Sequence, residues 1–184
     1  MASLHFKYSA MNSGKSTTLL QIAHNYEELG MTVKMFTFAG DDRYGVGKIS
    51  SRIGLQREAE LFSSDTNFLG QINDGLDYDC IFVDEAQFMS EDHICQLCAI
   101  VDDLNIPVMC FGLRTDFKGT LFPGSGLLLG VADHIEEIKN ICHCGKKATM
   151  NMRVDEHGKK VTEGPQVEIG GNDRYVAVCR KHFR

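Results

Sequence analysis

The chain has 184 residues, 43% of them hydrophobic and 24% charged, with a formal charge of −6. That suits one good-sized globular domain with room for a small appendage, and it excludes a largely disordered chain. No apolar run approaches the ~18–20 residues of a membrane span. The start, Met1-Ala-Ser-Leu-His-Phe-Lys7, lacks the apolar core of a secretory signal, so a cytoplasmic setting with no membrane partner is expected.

In chain order, residues 4–8 alternate and predict a strand. Residues 15–28 place Leu19, Leu20, Ile22, Ala23 and Tyr26 at helical spacing, and Gly30 stops that helix. Residues 31–38 predict the next strand, and the glycine- and charge-rich stretch 40–56 reads as a loop. A helix is expected near 65–75. Residues 80–83 (Cys-Ile-Phe-Val) are wholly apolar, as in a strand buried on both faces. Ser90 caps a helix at 91–104, residues 107–111 form another buried strand, a helix covers 121–131 and a strand 134–141. Such alternation predicts an open α/β sheet with right-handed crossovers.

Beyond 141 the alternation stops. Glycine pairs and Cys/His clusters replace it, and Asp155-Glu-His-Gly158 predicts a hairpin turn. The charge divides at a similar place. Residues 1–138 hold 9 basic and 20 acidic side chains, whereas 139–184 hold 10 and 5. Two domains are therefore expected, 1–138 and 139–184. The acidic body argues against nucleic acid as a partner, because that affinity rests on neutralising phosphates.

Ser9-Ala10-Met11-Asn12-Ser13-Gly14-Lys15-Ser16 sits between a predicted strand and a predicted helix, the context of a phosphate-binding loop. Main-chain N–H groups and the helix N-terminus would cradle phosphates. Lys15 would reach the β- and γ-phosphates, and Ser16 would hold Mg²⁺. Ser9 stands where this motif usually begins with glycine. Asp84-Glu85 ends the buried run 80–83, where open α/β sheets bind ligands. Asp84 suits a Mg²⁺ position, and Glu85 a base for the attacking group. Arg43 and Arg114 are candidate cations for the phosphates.

The seven cysteines are odd in number, and a chain of this size builds an ordinary core, so a disulfide framework is not expected. Cys142, Cys144, Cys179 and His182 form a Cys₃His set suited to structural Zn²⁺, with His143 as a rival to His182. Cys95 and Cys98, at i and i+3 on the 91–104 helix, read as buried core thiols.

Several of these segments together resemble the type II thymidine kinase family, which joins a P-loop domain to a zinc-bearing lasso domain. They are Tyr8-Ser-Ala-Met-Asn-Ser-Gly-Lys-Ser16, Asp41-Asp-Arg-Tyr44, Asp84-Glu-Ala-Gln-Phe88, Phe111-Gly-Leu-Arg-Thr-Asp-Phe117 and Ile169-Gly-Gly-Asn-Asp-Arg-Tyr175 with Cys179-Arg-Lys-His182. The resemblance implies an open, mostly parallel P-loop (RecA-like) sheet flanked by helices, and ATP-dependent phosphorylation of the thymidine 5′-hydroxyl with Mg²⁺. It makes Glu85 the base, and sets Asp41, Arg43, Asp84 and Gln87 with ATP and its metal. Met11, Phe88, Leu113, Phe117, Tyr175 and the segment Gln166, Val167, Glu168, Ile169, Gly170 would hold the nucleoside. It also implies a cytoplasmic homotetramer inhibited by thymidine triphosphate. A kinase of another nucleoside, a P-loop ATPase and, last, a zinc-containing nucleic-acid-binding module are the alternatives.

Overall fold

A computed structural model describes residues 1–40, 47–167 and 174–184. Its centre is a six-stranded sheet of β1 (Leu4–Ser9), β2 (Val33–Phe38), β5 (Glu60–Phe62), β6 (Cys80–Val83), β7 (Val108–Leu113) and β8 (His134–Glu137). Their order across the sheet is β5-β2-β6-β7-β1-β8, and every pairing is parallel. Helices α1 (Lys15–Glu28), α2 (Phe68–Ile72), α3 (Glu91–Leu104) and α4 (Pro123–Val131) connect them. The expected open α/β sheet is what forms.

The run 80–83 is apolar throughout because β6 lies inside the sheet and is covered on both faces. Ile81 and Val83 enter a core with Phe6, Phe36, Phe68 and Leu97, whereas Cys80 and Phe82 enter one with Leu19, Ala23 and Phe111. Burial pushes the Cys80 thiol up to about 12, so it behaves as a small hydrophobe.

Helix ends follow local chemistry. After α1, Gly30 takes φ 77°, its N–H donates to the Glu27 carbonyl, and Met31 N–H donates to that of Tyr26. This pair is a Schellman ending, and it needs a residue at ease with positive φ. Ser90 and His93 exchange hydrogen bonds at the start of α3, and Pro123 opens α4 at its first position.

Several expectations need correction. The 40–56 stretch holds a strand, β3 (Lys48–Ser50), which pairs antiparallel with β4 (Gln56–Glu58). Three-residue strands are too short to show a period. The edge strand β5, beside β2, escaped for the same reason. The 65–75 helix contracts to Phe68–Ile72, capped by Asn67, and the expected strand 134–141 is divided into β8 and β9 (Asn140–Ile141). Cys95 is exposed and Cys98 half-buried, because Ile94, Leu97 and Val101 occupy the buried stripe of α3. The 155–158 turn forms, with Asp155 Oδ1 accepting from His157 and Lys159 N–H, but a single bridge, Val154 to Lys160, closes it.

After β8 the chain forms two small antiparallel pairs. They are β9 with β10 (Lys147–Ala148) and β11 (Met150–Arg153) with β12 (Tyr175–Val178), followed by α5 (Arg180–Phe183). Their shared core is small: Cys142, Ala148, Val178 and Cys179.

The turn after β6 is packed against its neighbours without slack. A Cβ at Gly124 would lie 2.8 Å from the carbonyl oxygens of Ala86, Gln87 and Met89. Gly124→Ala therefore forces α4 away from that turn. Overpacking of this kind costs about 1–3 kcal/mol, and in a chain of this length each kcal/mol lowers Tm by about 2–4 °C. Thermal unfolding by circular dichroism checks this, and an unchanged Tm would contradict the packing described.

Candidate active site

β1 and β6 both end at the same edge of the sheet, which brings the phosphate loop and Asp84-Glu85 into one cavity of about 360 Å³. Met11, Asn12, Ser13, Gly14, Lys15 and Ser16 all line it. Asn12 (φ 59°) and Gly14 (φ 81°) are left-handed, which curls the loop as in main-chain anion nests. No described side chain caps α1 and no acidic residue sits in its first turn, so its leading N–H groups suit an anion. Lys15 is buried at the start of this helix.

Ser9 and Ala10 are not on the cavity wall. Both are buried, and Ser9 Oγ donates to the Ala10 carbonyl at 2.6 Å. Ser9 is not among the residues with positive φ, so glycine is not required there.

Asp84 is buried, and its N–H donates to the Phe36 carbonyl, which carries the β2–β6 ladder to the cavity edge. Glu85 then takes φ 55° and ψ 37°, a left-handed conformation that costs a non-glycine residue on the order of 1 kcal/mol or more. It turns the chain sharply into the short 3₁₀ segment Ala86–Phe88. Gln87 explains why Glu85 holds still. Its Nε2 donates to Glu85 Oε2, and its Oε1 accepts from Leu113 N–H at 3.0 Å. Gln87 does line the cavity, but both ends of its carboxamide are engaged with protein.

Part of the cavity lining is aromatic. Phe88 lies tilted against Phe38, ring centroids 4.5 Å apart, and meets Phe122 edge-on. Leu113, Phe117, Gln166, Val167 and Tyr175 complete this wall with Met11. Asp41, Arg43, Glu168, Ile169 and Gly170 fall outside the described residues. Arg114 is not on the wall; its guanidinium lies over the Tyr8 ring and donates to the Thr149 carbonyl.

Sequence reasoning missed several residues here. Arg52 and Lys48, from the β3–β4 hairpin, put positive charge on the wall of the cavity that Lys15 also lines. Asp116 is buried, takes the N–H groups of Lys118 and Thr120, and accepts from Gln166 Nε2 at 3.0 Å. Arg153 is 2% exposed and lies over Phe117 at 3.7 Å from the ring centre, and its Nε donates to the Tyr175 hydroxyl. Asp116 stands in a run of polar residues, Arg114-Thr115-Asp116, and nothing in that run singled it out. Nothing local marked Arg153, whose partners are distant in the chain.

Away from the cavity, one ligand atom from each of Cys142, Cys144, Cys179 and His182 lies within 4.8 Å of the other three. A tetrahedron with Zn–S about 2.3 Å has S···S edges near ~3.8 Å and S···N edges near ~3.5 Å. The Cys144–Cys179 sulfur separation is 3.8 Å, and His182 Nδ1 lies 3.5 and 3.3 Å from the sulfurs of Cys142 and Cys179. The set thus fits the ion. The Cys142 thiol is drawn down to about 6, first by the Cys144 main-chain N–H, and the same thiols hold the His182 imidazole above its usual range. The His143 ring is tilted 43° against that of His182, and its Nδ1 stands 3.7 Å from the Cys142 sulfur, outside the four.

A family model described as thymidine kinase matches residues 2–183. Among similar proteins, the thymidine kinase of Vibrio vulnificus (strain CMCP6) is 60% identical, the alignment covering 100% of this chain and 97% of that protein. Those of Agrobacterium fabrum (strain C58 / ATCC 33970) and Jannaschia sp. (strain CCS1) are 55% and 52% identical, each over 100% of this chain and 96% of the relative.

Proposed function

The chain belongs to the thymidine kinase family, and on that premise we propose that the cavity binds ATP and thymidine end to end and passes the γ-phosphoryl group to the nucleoside 5′-hydroxyl. The observation that carries this reading is a single hollow lined by the phosphate loop, by an aromatic group of residues and by Glu85.

In this reading the main-chain N–H groups of residues 12–16 and the α1 N-terminus hold the polyphosphate, and Lys15 neutralises the oxygens that gain charge. Ser16 and Asp84 would hold Mg²⁺, which would supply positive charge to offset that of the phosphates. The described cations Arg52 and Lys48 add positive potential on the same wall. Phe88 and Phe117 enclose the pyrimidine, with Met11, Leu113, Val167 and Tyr175 around it. Glu85, fixed by Gln87, takes the proton of the 5′-hydroxyl as its oxygen bonds to Pγ and the Pγ–O bond to ADP breaks. Asp41, Arg43, Glu168, Ile169 and Gly170 join these sets on the strength of the resemblance.

The same reading divides the chain at residue 138. The last central strand ends at Glu137, and the two small sheets beyond it surround the Cys₃His set. So small a core gains its folding free energy from ligation, which makes the zinc structural, with four protein ligands and no open position. A cytoplasmic homotetramer restrained by thymidine triphosphate is the further proposal that the family resemblance carries. No helix among the described residues is long and apolar enough to cross a membrane.

A panel of nucleosides with ATP and Mg²⁺ tests the reading directly. Thymidine monophosphate is the expected product, and phosphate release without nucleoside phosphorylation would favour an ATPase instead. Lys15→Met is expected to abolish turnover with an unchanged circular dichroism spectrum; retained turnover would remove the loop from the mechanism. Glu85→Gln should lower kcat by ~10²–10⁴-fold with much less effect on ATP binding, and an unchanged kcat would dismiss the base. Metal analysis of freshly reduced protein should find ~1 zinc per chain, lost in Cys179→Ser together with a fall in Tm; zinc-free protein of undiminished stability would contradict the structural role.

A further inference from the structure

The parallel ladder between β1 and β7 runs from Leu4 opposite Val108 to Ser9 opposite Leu113, and there it ends. Two positions further along the same register, Met11 belongs to the phosphate loop and Thr115 to the nucleoside wall. The backbone pairing stops at this point, and Met11 and Thr115 both line the cavity. One side chain links them. Asn151 Oδ1 accepts from Met11 N–H at 2.7 Å, and Asn151 Nδ2 donates to the Thr115 carbonyl at 2.8 Å. A carboxamide presents one acceptor and one donor as a peptide unit does, so Asn151 stands in for the missing rung. Only one orientation of the group serves both partners. Asn151 is 2% exposed, so water does not compete for either bond, and it forms part of the cavity wall.

Asn151 comes from β11, far along the chain, and its strand is pinned by β12. A second asparagine supports the same apex: Asn140 Nδ2 donates to the carbonyls of Met11 and Asn12 at 3.1 and 3.3 Å. The left-handed Asn12 is therefore held from both sides of its neighbour Met11.

We propose that Asn151 is a positioning residue for phosphoryl transfer, setting the distance between the phosphate loop and the nucleoside wall through its two hydrogen bonds. The inference rests on the functional reading of this cavity. Transfer needs the reacting atoms about 3–3.5 Å apart, and a misplacement of about 1 Å costs ~10²-fold in rate. The donor rides on the loop that follows β1 and the acceptor on the segment that follows β7. The separation of these two segments thus governs their approach, and the Asn151 carboxamide ties one to the other. Asn151 touches neither reacting atom; it acts through Met11 and Thr115.

Steady-state kinetics of thymidine phosphorylation in Asn151→Ala and Asn151→Asp, with ATP binding measured separately by equilibrium titration, test this. Asp keeps the size and the acceptor for Met11 but sets an oxygen against the Thr115 carbonyl, and it carries the test if the Ala variant does not fold. The expected result is a kcat lower by ~10–100-fold in each, with ATP affinity within about threefold of the unmodified chain. A kcat within about twofold of the unmodified chain in a folded variant overturns the proposal. So does a fall in kcat matched by an equal loss of ATP affinity, the mark of a collapsed loop rather than a displaced one. The unmodified chain in the same assay keeps the two readings apart, since the functional reading fails only if that chain transfers nothing to thymidine.

Discussion

Everything in the cavity depends on where β6 stops. Four consecutive apolar residues are buried between β2 and β7, and the chain's polarity changes abruptly at Asp84. Because both faces of the strand are covered, the register cannot slip by one residue without forcing a carboxylate into the core or an aliphatic side chain out of it. The acidic pair is therefore delivered to the sheet edge at a fixed height. β1, one strand beyond β7, delivers the phosphate loop to the same edge. Hydrophobic burial sets the stage for an electrostatic site, and neither part makes sense alone.

The left-handed turn at Glu85 shows how the site holds local strain. The turn is unfavourable for a glutamate, yet Gln87 ties the carboxylate to the Leu113 main chain, while α4 packs its glycine face on the carbonyls of the same turn. The surroundings over-determine the conformation, and the Glu85 carboxylate is thereby oriented within the cavity. A similar economy operates in the aromatic lining. Arg153, sealed from water, stacks on Phe117 and holds Tyr175, so that a charged group does the work of shaping an aromatic wall. Arg153 and Asn151 lie two residues apart on the inward face of β11. One short strand of the tail thus buttresses both the loop and the nucleoside wall, which gives the small Cys₃His unit a reason to be well ordered.

Much of this was legible in the sequence because it is local. A strand, a glycine-lysine-serine turn and a helix follow one another without interruption, and the apolar run before Asp84 announces its own burial. The Cys/His set was visible by residue type, and His182, rather than His143, is the imidazole grouped with the three sulfurs. The hidden parts are those whose meaning depends on distant partners. Asn151 and Arg153 look like ordinary polar residues in a short strand until Met11, Thr115 and Phe117 are brought beside them. The β3–β4 hairpin and β5 are too short to carry a period, so the wall that bears Arg52 and Lys48 read as loop. Cys95 was misjudged for the opposite reason: the helical stripe was real, but it passes through its neighbours.

The central claim is geometric: one carboxylate faces an acceptor hydroxyl while the phosphate loop grips the donor. A crystal structure with thymidine and a non-hydrolysable ATP analogue measures this directly. The account predicts the analogue's γ-phosphate against the amides of residues 12–16 and a Glu85 oxygen about 2.6–3.2 Å from the 5′-hydroxyl. A nucleoside whose 5′-hydroxyl points away from Glu85, or a triphosphate bound elsewhere on the molecule, would contradict it.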